Sequence, residues 1–380
     1  MEKRKIRVLH LVRDDKFIEG TLKWFEDDGR FVNQCVMIVN SSDYQFKLIS
    51  NPSSIKLLYN KQLIKQEFQR EDYDVVFFFA LTDYHIINYI PQDKIVIWWA
   101  WGYDIYGPER FINIPLYKPQ TLKYLNNREI SIVDRVKRIL KNIPFVLYLK
   151  NGSRKKAIAR IDYFQPVLHI EYLLMKRVKG FRAHEFYYYG GRNNNNSFDE
   201  EIPIHGTNIL IGHCASDTNN HIDVWESVKN FIPAGTSVYL PISYGDHIYA
   251  DYLCDTIVSD SLDIEFIKDF LPKDEYFNIL DSCGYAIFGV LREQAIGNIL
   301  RCLLKGIKVF LYKDSIPYQY YKEIGCEVYA IEEISEESFK IPMTLSQVRQ
   351  NQLCLKRVRE TVSETRETAI NEIMDRLNKQ

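Results

Sequence analysis

Residues 208–228 read NILIGHCASDTNNHIDVWESV. An apolar run from Asn208 to Cys214 passes into the small and hydrogen-bonding residues Ala215 to Asn220, and helix-compatible sequence follows from His221 to Asn230. A short, continuously apolar strand that leads through a polar loop into a helix is the repeating unit of a parallel sheet covered on both faces. The same unit recurs downstream. SVYLPI (Ser237 to Ile242), IEFIKDF (Ile264 to Phe270), YAIFGV (Tyr285 to Val290), IKVFLY (Ile307 to Tyr312) and CEVYAI (Cys326 to Ile331) read as strands. Helices fall at His247 to Ser259, Lys273 to Ser282, Glu293 to Lys305 and Ser315 to Glu323. Upstream, IRVLHLV (Ile6 to Val12), CVMIV (Cys35 to Val39), IKLLY (Ile55 to Tyr59), DVVFFFA (Asp74 to Ala80) and KIVIWWAW (Lys94 to Trp101) alternate with helices near Gly20 to Glu26 and Asn60 to Gln69. The fold class is therefore α/β with two doubly wound halves, followed by helical sequence from Thr344 to Lys379.

The chain has 380 residues, 46% hydrophobic and 26% charged, and a formal net charge of −1. Such a composition excludes a disordered or collagenous chain and one that coats nucleic acid, and no nucleic-acid partner is expected. Seven cysteines without C-x-x-C spacing suit a reducing compartment rather than a disulfide framework or a zinc finger. The apolar start at Ile6 ends at Arg13-Asp14-Asp15, so a first strand is expected there and not a signal peptide. No apolar run reaches the roughly 20 residues of a membrane span.

In open α/β sheets ligands bind beyond the carboxyl ends of the strands, where loop N–H groups and helix N-termini receive anions. In the second half this selects Ser216, Asn219 and His221 after one strand, and Arg292, Glu293, Gln294, Gly297 and Asn298 after another. Gly297 costs about 1 kcal/mol relative to alanine inside a helix, which points to close approach by another group. The same residues also suit plain turns, N-caps and a solvated first turn. Neither segment is G-x-G-x-x-G or a P-loop. In the first half, strand ends offer His10, Asp14, Asp83, His85 and Asp104. The run Trp98-Trp99-Ala100-Trp101-Gly102-Tyr103-Asp104 sets an acid beside aromatics that can stack on a sugar, or alternatively core aromatics beside a turn aspartate. The lone Asp-x-Asp, Asp72-Tyr73-Asp74, precedes its strand and reads as a surface turn, so no metal site is expected.

The stretches WGYDIY, NILIGHCASDTNNHID, LPISYGDHIYADYL and IFGVLREQAIGNILRCLLKGIKVFLY resemble the TDP-4-acetamido-4,6-dideoxy-D-galactose (TDP-Fuc4NAc):lipid II transferases of glycosyltransferase family 56, which act in enterobacterial common antigen assembly. The resemblance implies a GT-B architecture of two Rossmann-like domains facing each other across a cleft. It divides the chain into an acceptor-binding domain at 1–190, a linker at 191–206, a nucleotide-sugar domain at 207–342 and terminal helices at 343–380. It implies inverting, metal-independent transfer of a deoxy-amino sugar from a TDP-sugar to a polyprenyl-diphosphate-linked saccharide, by a peripheral protein on the cytoplasmic face of the bacterial inner membrane. Ser216, Asn219, His221, Arg292, Gln294, Gly297 and Asn298 would then hold the donor diphosphate, with Pro241 and Tyr244 beside base or sugar. Asp104 would face the acceptor with His10 and Asp14 nearby, and Trp101 and Tyr103 would bind it. The family pattern has Arg-Gln-Gln where this chain has Arg292-Glu293-Gln294, so Glu293 is a departure beside the donor sugar. The alternatives are a transferase with another nucleotide-sugar donor for capsule or O-antigen, and a non-catalytic nucleotide-sugar or glycan-binding module.

The net charge conceals an asymmetry. Residues 118–182 carry sixteen Lys/Arg against Glu129, Asp134, Asp162 and Glu171, which makes this window +12 and the remainder −13. Cations mixed with Leu116, Tyr117, Ile139, Leu140, Ile143, Phe145, Val146, Leu147 and Tyr148 suit an anionic membrane surface, at about 1 kcal/mol per Lys/Arg.

Overall fold

A computed structural model describes residues 4–15, 17–107, 110–128, 153–188 and 206–379. These form two compact units, one drawn from 4–112, 153–188 and 361–379 and the other from 113–128 and 206–360. The first unit holds strands β1 (Ile6–Val12), β2 (Phe31–Ile38), β3 (Ile55–Leu58), β4 (Val75–Phe79), β5 (Ile95–Trp99), β6 (Tyr163–Gln165) and β7 (His184–Glu185) in the order β3-β2-β1-β4-β5-β6-β7. The second holds β8 (Asn208–Ile211), β9 (Ser237–Pro241), β10 (Asp263–Ile267), β11 (Cys283–Phe288), β12 (Lys308–Leu311) and β13 (Tyr329–Ala330) in the order β10-β9-β8-β11-β12-β13. Every pairing is parallel. The strand order reverses between β1 and β4 in the first sheet and between β8 and β11 in the second. Those reversals are where a doubly wound sheet opens a crevice for a ligand.

The apolar runs fill both faces as their composition requires: every residue of β4, β5 and β11 is buried. Phe25, Phe77, Phe79, Trp99 and Phe186 form one core together with Ala369, Ile370, Ile373 and Leu377 of the helix Leu345–Asn378. Ile209, Ile211, Val224, Trp225, Tyr249 and Ile287 form the other. Each such large side chain contributes roughly 1.5–3 kcal/mol on full burial. At the amino edge of the first sheet the expected surface turn is instead an ion pair. Asp74 is buried and takes Arg7 Nη2 at 2.7 Å and Arg7 N at 3.0 Å, with Arg4 Nη2 at 3.1 Å.

The expected boundary at 190 differs in one respect. Residues 113–128 pack with the second sheet, because Asp223 accepts from the N–H groups of Gln120 (2.8 Å) and Thr121 (2.9 Å), in the first turn of the helix Pro119–Asn127. Tyr124 of that helix lies against Tyr252 and Tyr249, ring centroids 4.3 and 5.2 Å away. The terminal helices expected at 343–380 are one helix, Leu345–Asn378, whose last turns belong to the first unit. The expected linker, apart from Gly206, and the apolar residues Ile139 to Tyr148 lie outside the described residues. Among the described residues no helix is long and apolar enough to cross a membrane.

Candidate functional site

In the second unit the loops after β8, β9 and β11 are joined into one surface. Asn220, in the left-handed region at φ 50°, donates from Nδ2 to Gly289 O at 2.8 Å and so ties the loop after β8 to the loop after β11. Ala215 N donates to Tyr244 O and Asp246 N donates to Ala215 O, both at 2.8 Å, which ties in the loop after β9. Pro241 closes β9, and Tyr244 stands half-exposed beside Phe270. Glycines make these approaches feasible. A Cβ on Gly212 would meet the His221 ring at 2.2 Å, on Gly245 the Ala215 carbonyl oxygen at 2.4 Å, and on Gly289 the Asn219 carbonyl oxygen at 2.3 Å.

The sequence-selected residues take different places on this surface. Ser216 Oγ lies 2.9 Å from Thr218 Oγ1, and Asn219 is buried with Oδ1 2.7 Å from His213 Nδ1. His221 is fully buried, with no hydrogen-bond partner for either ring nitrogen among the described residues. It therefore belongs to the core, and His213, partly exposed at the mouth of the loop, is the accessible imidazole. Arg292 Nη1 and Glu293 Oε1 pair at 2.8 Å, with Glu293 almost wholly buried. Gln294 Oε1 is a buried acceptor without a donor among the described residues. Ala295, at φ 58°, turns the chain into the helix Ile296–Lys305, whose first turn has no side-chain cap. Its chain neighbours and own helix backbone aside, no atom of the described residues lies within 4 Å of a Cβ built on Gly297, so none of them makes the close approach by another group that this glycine suggests, and open space lies there. Asn298 Nδ2 donates to the Tyr276 hydroxyl at 3.0 Å.

In the first unit a cavity of about 510 Å³ lies at the carboxyl ends of β1, β2 and β4, lined by Arg13, Asp14, Asp15, Tyr44, Trp101 and Tyr103 among others. Of the five strand-end residues selected there it brings together two, Asp14 and Asp83, beside Trp101 and Tyr103. Asp14 serves as a clasp: its carboxylate accepts from the N–H groups of Lys47 (2.7 Å), Leu48 (3.0 Å) and Ile49 (3.1 Å) and from the Tyr44 hydroxyl (2.9 Å). Burial pushes its pKa up, and those donors more than offset this, leaving it below the ordinary carboxylate range. Asp104 is fully buried and also satisfied, by Trp98 Nε1 (2.7 Å), Trp101 N (2.8 Å) and Leu81 N (2.9 Å). Its oxygens are turned to the protein rather than to an acceptor, and burial raises its pKa. Trp98 and Trp99 are core side chains; only Trp101 and Tyr103 of the aromatic run reach the cavity.

His10 sits inside β1, its Nε2 2.9 Å from Asn33 Oδ1 and its ring 4.6 Å from that of Phe25. Burial lowers its pKa to about 4, and that of His221 to about 3. Both are thus neutral in the folded protein, while an unfolded histidine titrates near 6.5. The unfolded chain binds the extra protons, so stability is full above pH 6.5 and falls as pH drops toward 4, by up to about 1.4 kcal/mol per pH unit for each histidine. Thermal melts at pH 7 and 5 should show this loss, and His10→Gln should reduce it in the first unit. An unchanged pH dependence in that variant contradicts the assignment.

No family model matches the sequence. The solved structure of Anabaena HepE in complex with UDP and glucose superposes with a TM-score of 0.59 at 10% identity, over 97% of this chain and 100% of that one. The N-terminal domain of Candida albicans trehalose-6-phosphate phosphatase gives 0.59 at 8% identity, over 99% and 98%. A glycosyltransferase from Rickettsia africae gives 0.55 at 10%, over 99% and 100%. The fold is GT-B. In this GT-B chain the sequence reading passed over Asn220, Gly212 and Gly289, which hold the loops together. The available signal was the doubled Asn219-Asn220 before a helix, since asparagine accepts the left-handed conformation more readily than most residues.

Proposed function

We propose that the protein is a glycosyltransferase that takes a nucleotide-sugar donor at the loops after β8 and β11. The observation that carries this reading is the start of the helix Ile296–Lys305. Among the described residues it has no side-chain cap, opens at Gly297 onto free space, and is flanked by Arg292 and by Gln294 Oε1, a buried acceptor with no donor among them, all at the reversal of strand order. Helix N–H groups and a guanidinium suit a diphosphate. The UDP and glucose held by the similarly folded HepE support the same donor class. In the finer reading, the donor is a TDP-linked deoxy-amino sugar and the acceptor a polyprenyl-diphosphate-linked saccharide at the cytoplasmic face of the inner membrane. The resemblance to family 56 supports it, as do the described cations Arg154, Lys155, Lys156, Lys176, Arg177 and Lys179 of the basic window.

Inverting, metal-independent transfer requires a base on the acceptor hydroxyl and fixed positive charge where the diphosphate departs. Arg292 and the helix N-terminus would supply the charge. With Asp14 and Asp104 engaged by the protein, the base falls to Asp15 or Asp83, which line the first unit's cavity and, among the described residues, each accept one local N–H, from Phe17 and His85 respectively. Arg292→Ala is expected to lower turnover about a hundredfold. A screen of TDP-, UDP- and GDP-sugars against a membrane extract rich in polyprenyl-linked saccharides, read by product mass, tests this on the wild type, Arg292→Ala, Asp15→Asn and Asp83→Asn. Nucleotide binding without turnover of any donor would make the protein a binding module. The buried Arg292–Glu293 pair favours a second reading, a donor other than TDP-Fuc4NAc, and the same screen decides between them.

A further inference from the structure

A second cavity, of about 490 Å³, lies in the first unit at the opposite edge of the sheet from the first. Its walls come from Arg160, Ile161 and Asp162, which lead into β6, from Arg182 and His184 at the start of β7, and from Arg376 of the long carboxyl-terminal helix. Three guanidinium groups thus share the cavity with one carboxylate. Asp162 is already fully engaged: Oδ1 accepts from Arg376 Nη1 at 2.8 Å, and Oδ2 from Arg160 Nη1 and Val96 N, both at 2.8 Å. Glu372 takes the Tyr163 hydroxyl at 3.2 Å and does not line the space. Arg160 spends Nη2 on the carbonyls of Pro91 (3.0 Å) and Lys94 (2.5 Å), which leaves its buried Nε without a partner among the described residues. Arg182 is exposed and has no carboxylate partner among them.

An ion pair that only fastened the last helix to the sheet would need Asp162 and Arg376 and no more. The surplus is two positive charges around a space large enough for a phosphate or diphosphate, and guanidinium forks match phosphoryl oxygens in geometry and charge. We propose that this cavity binds a phosphoryl-bearing anion, at a site separate from the loops after β8 and β11 and from the cavity at the carboxyl edge of the first sheet. The recognised chemistry is a phosphate mono- or diester headgroup or a free phosphate ester.

The test titrates the full chain with inorganic pyrophosphate by calorimetry. In parallel it measures co-sedimentation with phosphatidylcholine vesicles with and without phosphatidic acid. Three proteins are compared: wild type, Arg182→Ala, and Lys61→Ala, which removes an exposed cation that neither lines the cavity nor belongs to the basic window. Anion uptake at the β8 and β11 loops is common to all three and cancels. Binding in the wild type, at least about tenfold weaker in Arg182→Ala and unchanged in Lys61→Ala, is expected. If the pyrophosphate arm shows it, the source is a soluble ester; if the phosphatidic acid arm does, it is a headgroup. No binding of either probe at millimolar concentration, or equal weakening in both variants, overturns the proposal.

Discussion

Asp104→Ala is expected to destabilise the first unit by about 3–5 kcal/mol, because it strands three buried donors at once. Leu81 N–H, Trp101 N–H and the Trp98 indole N–H all end on this carboxylate, which closes the turn between β5 and the aromatic wall of the cavity. Asp104→Asn should cost less, about 1–3 kcal/mol, since one oxygen survives while an amide N–H₂ faces at least one donor. Melting temperature is expected to fall by roughly 10 °C for alanine, with asparagine in between. A chain that melted normally yet lost transfer would instead make Asp104 the group that deprotonates the acceptor, as WGYDIY first suggested.

Gly212→Ala should be comparably severe in the second unit. Gly212 has φ 72°, a region that costs an L-residue roughly 1–2 kcal/mol, and its added methyl would lie 2.2 Å from His221 Nε2 and 2.7 Å from Cδ2. His221 cannot swing away, being enclosed beside Tyr249. Together with overpacking of about 1–3 kcal/mol, a loss of about 2–5 kcal/mol is expected and, on the proposed function, weaker nucleotide binding, because the loop carries Ser216 and Asn219. The diagnostic is non-additivity. In Gly212→Ala/His221→Ala the smaller residue makes room, so the double variant should melt only slightly below His221→Ala. Strict additivity of the two losses would show that the ring and the glycine do not compete for one space.

The strands were legible because parallel sheets covered on both faces demand unbroken apolar runs, and β1, β4, β5, β8 and β11 have them. The strands β6 and β7 were passed over. β6 has three residues and β7 two, His184-Glu185 has no apolar signature, and they lie in and just beyond a window whose charge suggests a surface. The positions of the site loops were also legible, as strand, small polar residues and helix. The roles of single side chains were not. Asp14, Asp104, His10 and His221 have the right chemistry at strand ends, but burial and the donors that meet them come from residues distant in sequence, such as Leu81 for Asp104 and Lys47 for Asp14. Segment 113–128 illustrates the same limit at larger scale, since nothing local indicates that Asp223 will cap its helix.

That the chain changes unit at 113 and again after 360 has a consequence for how it can be made and divided. A fragment ending near residue 190 would lack Ala369, Ile370, Ile373 and Leu377, which complete its core, and one starting near 207 would lack Tyr124 and the helix that Asp223 caps. Neither half is therefore a portable module. During synthesis on the ribosome the first sheet, though translated first, must wait for the final helix before its apolar face can close, so the second unit gains its full set of core residues sooner. Chimaeras that exchange second units between proteins of this fold would need to carry residues 113–128 with the second sheet and return 361–379 to the first.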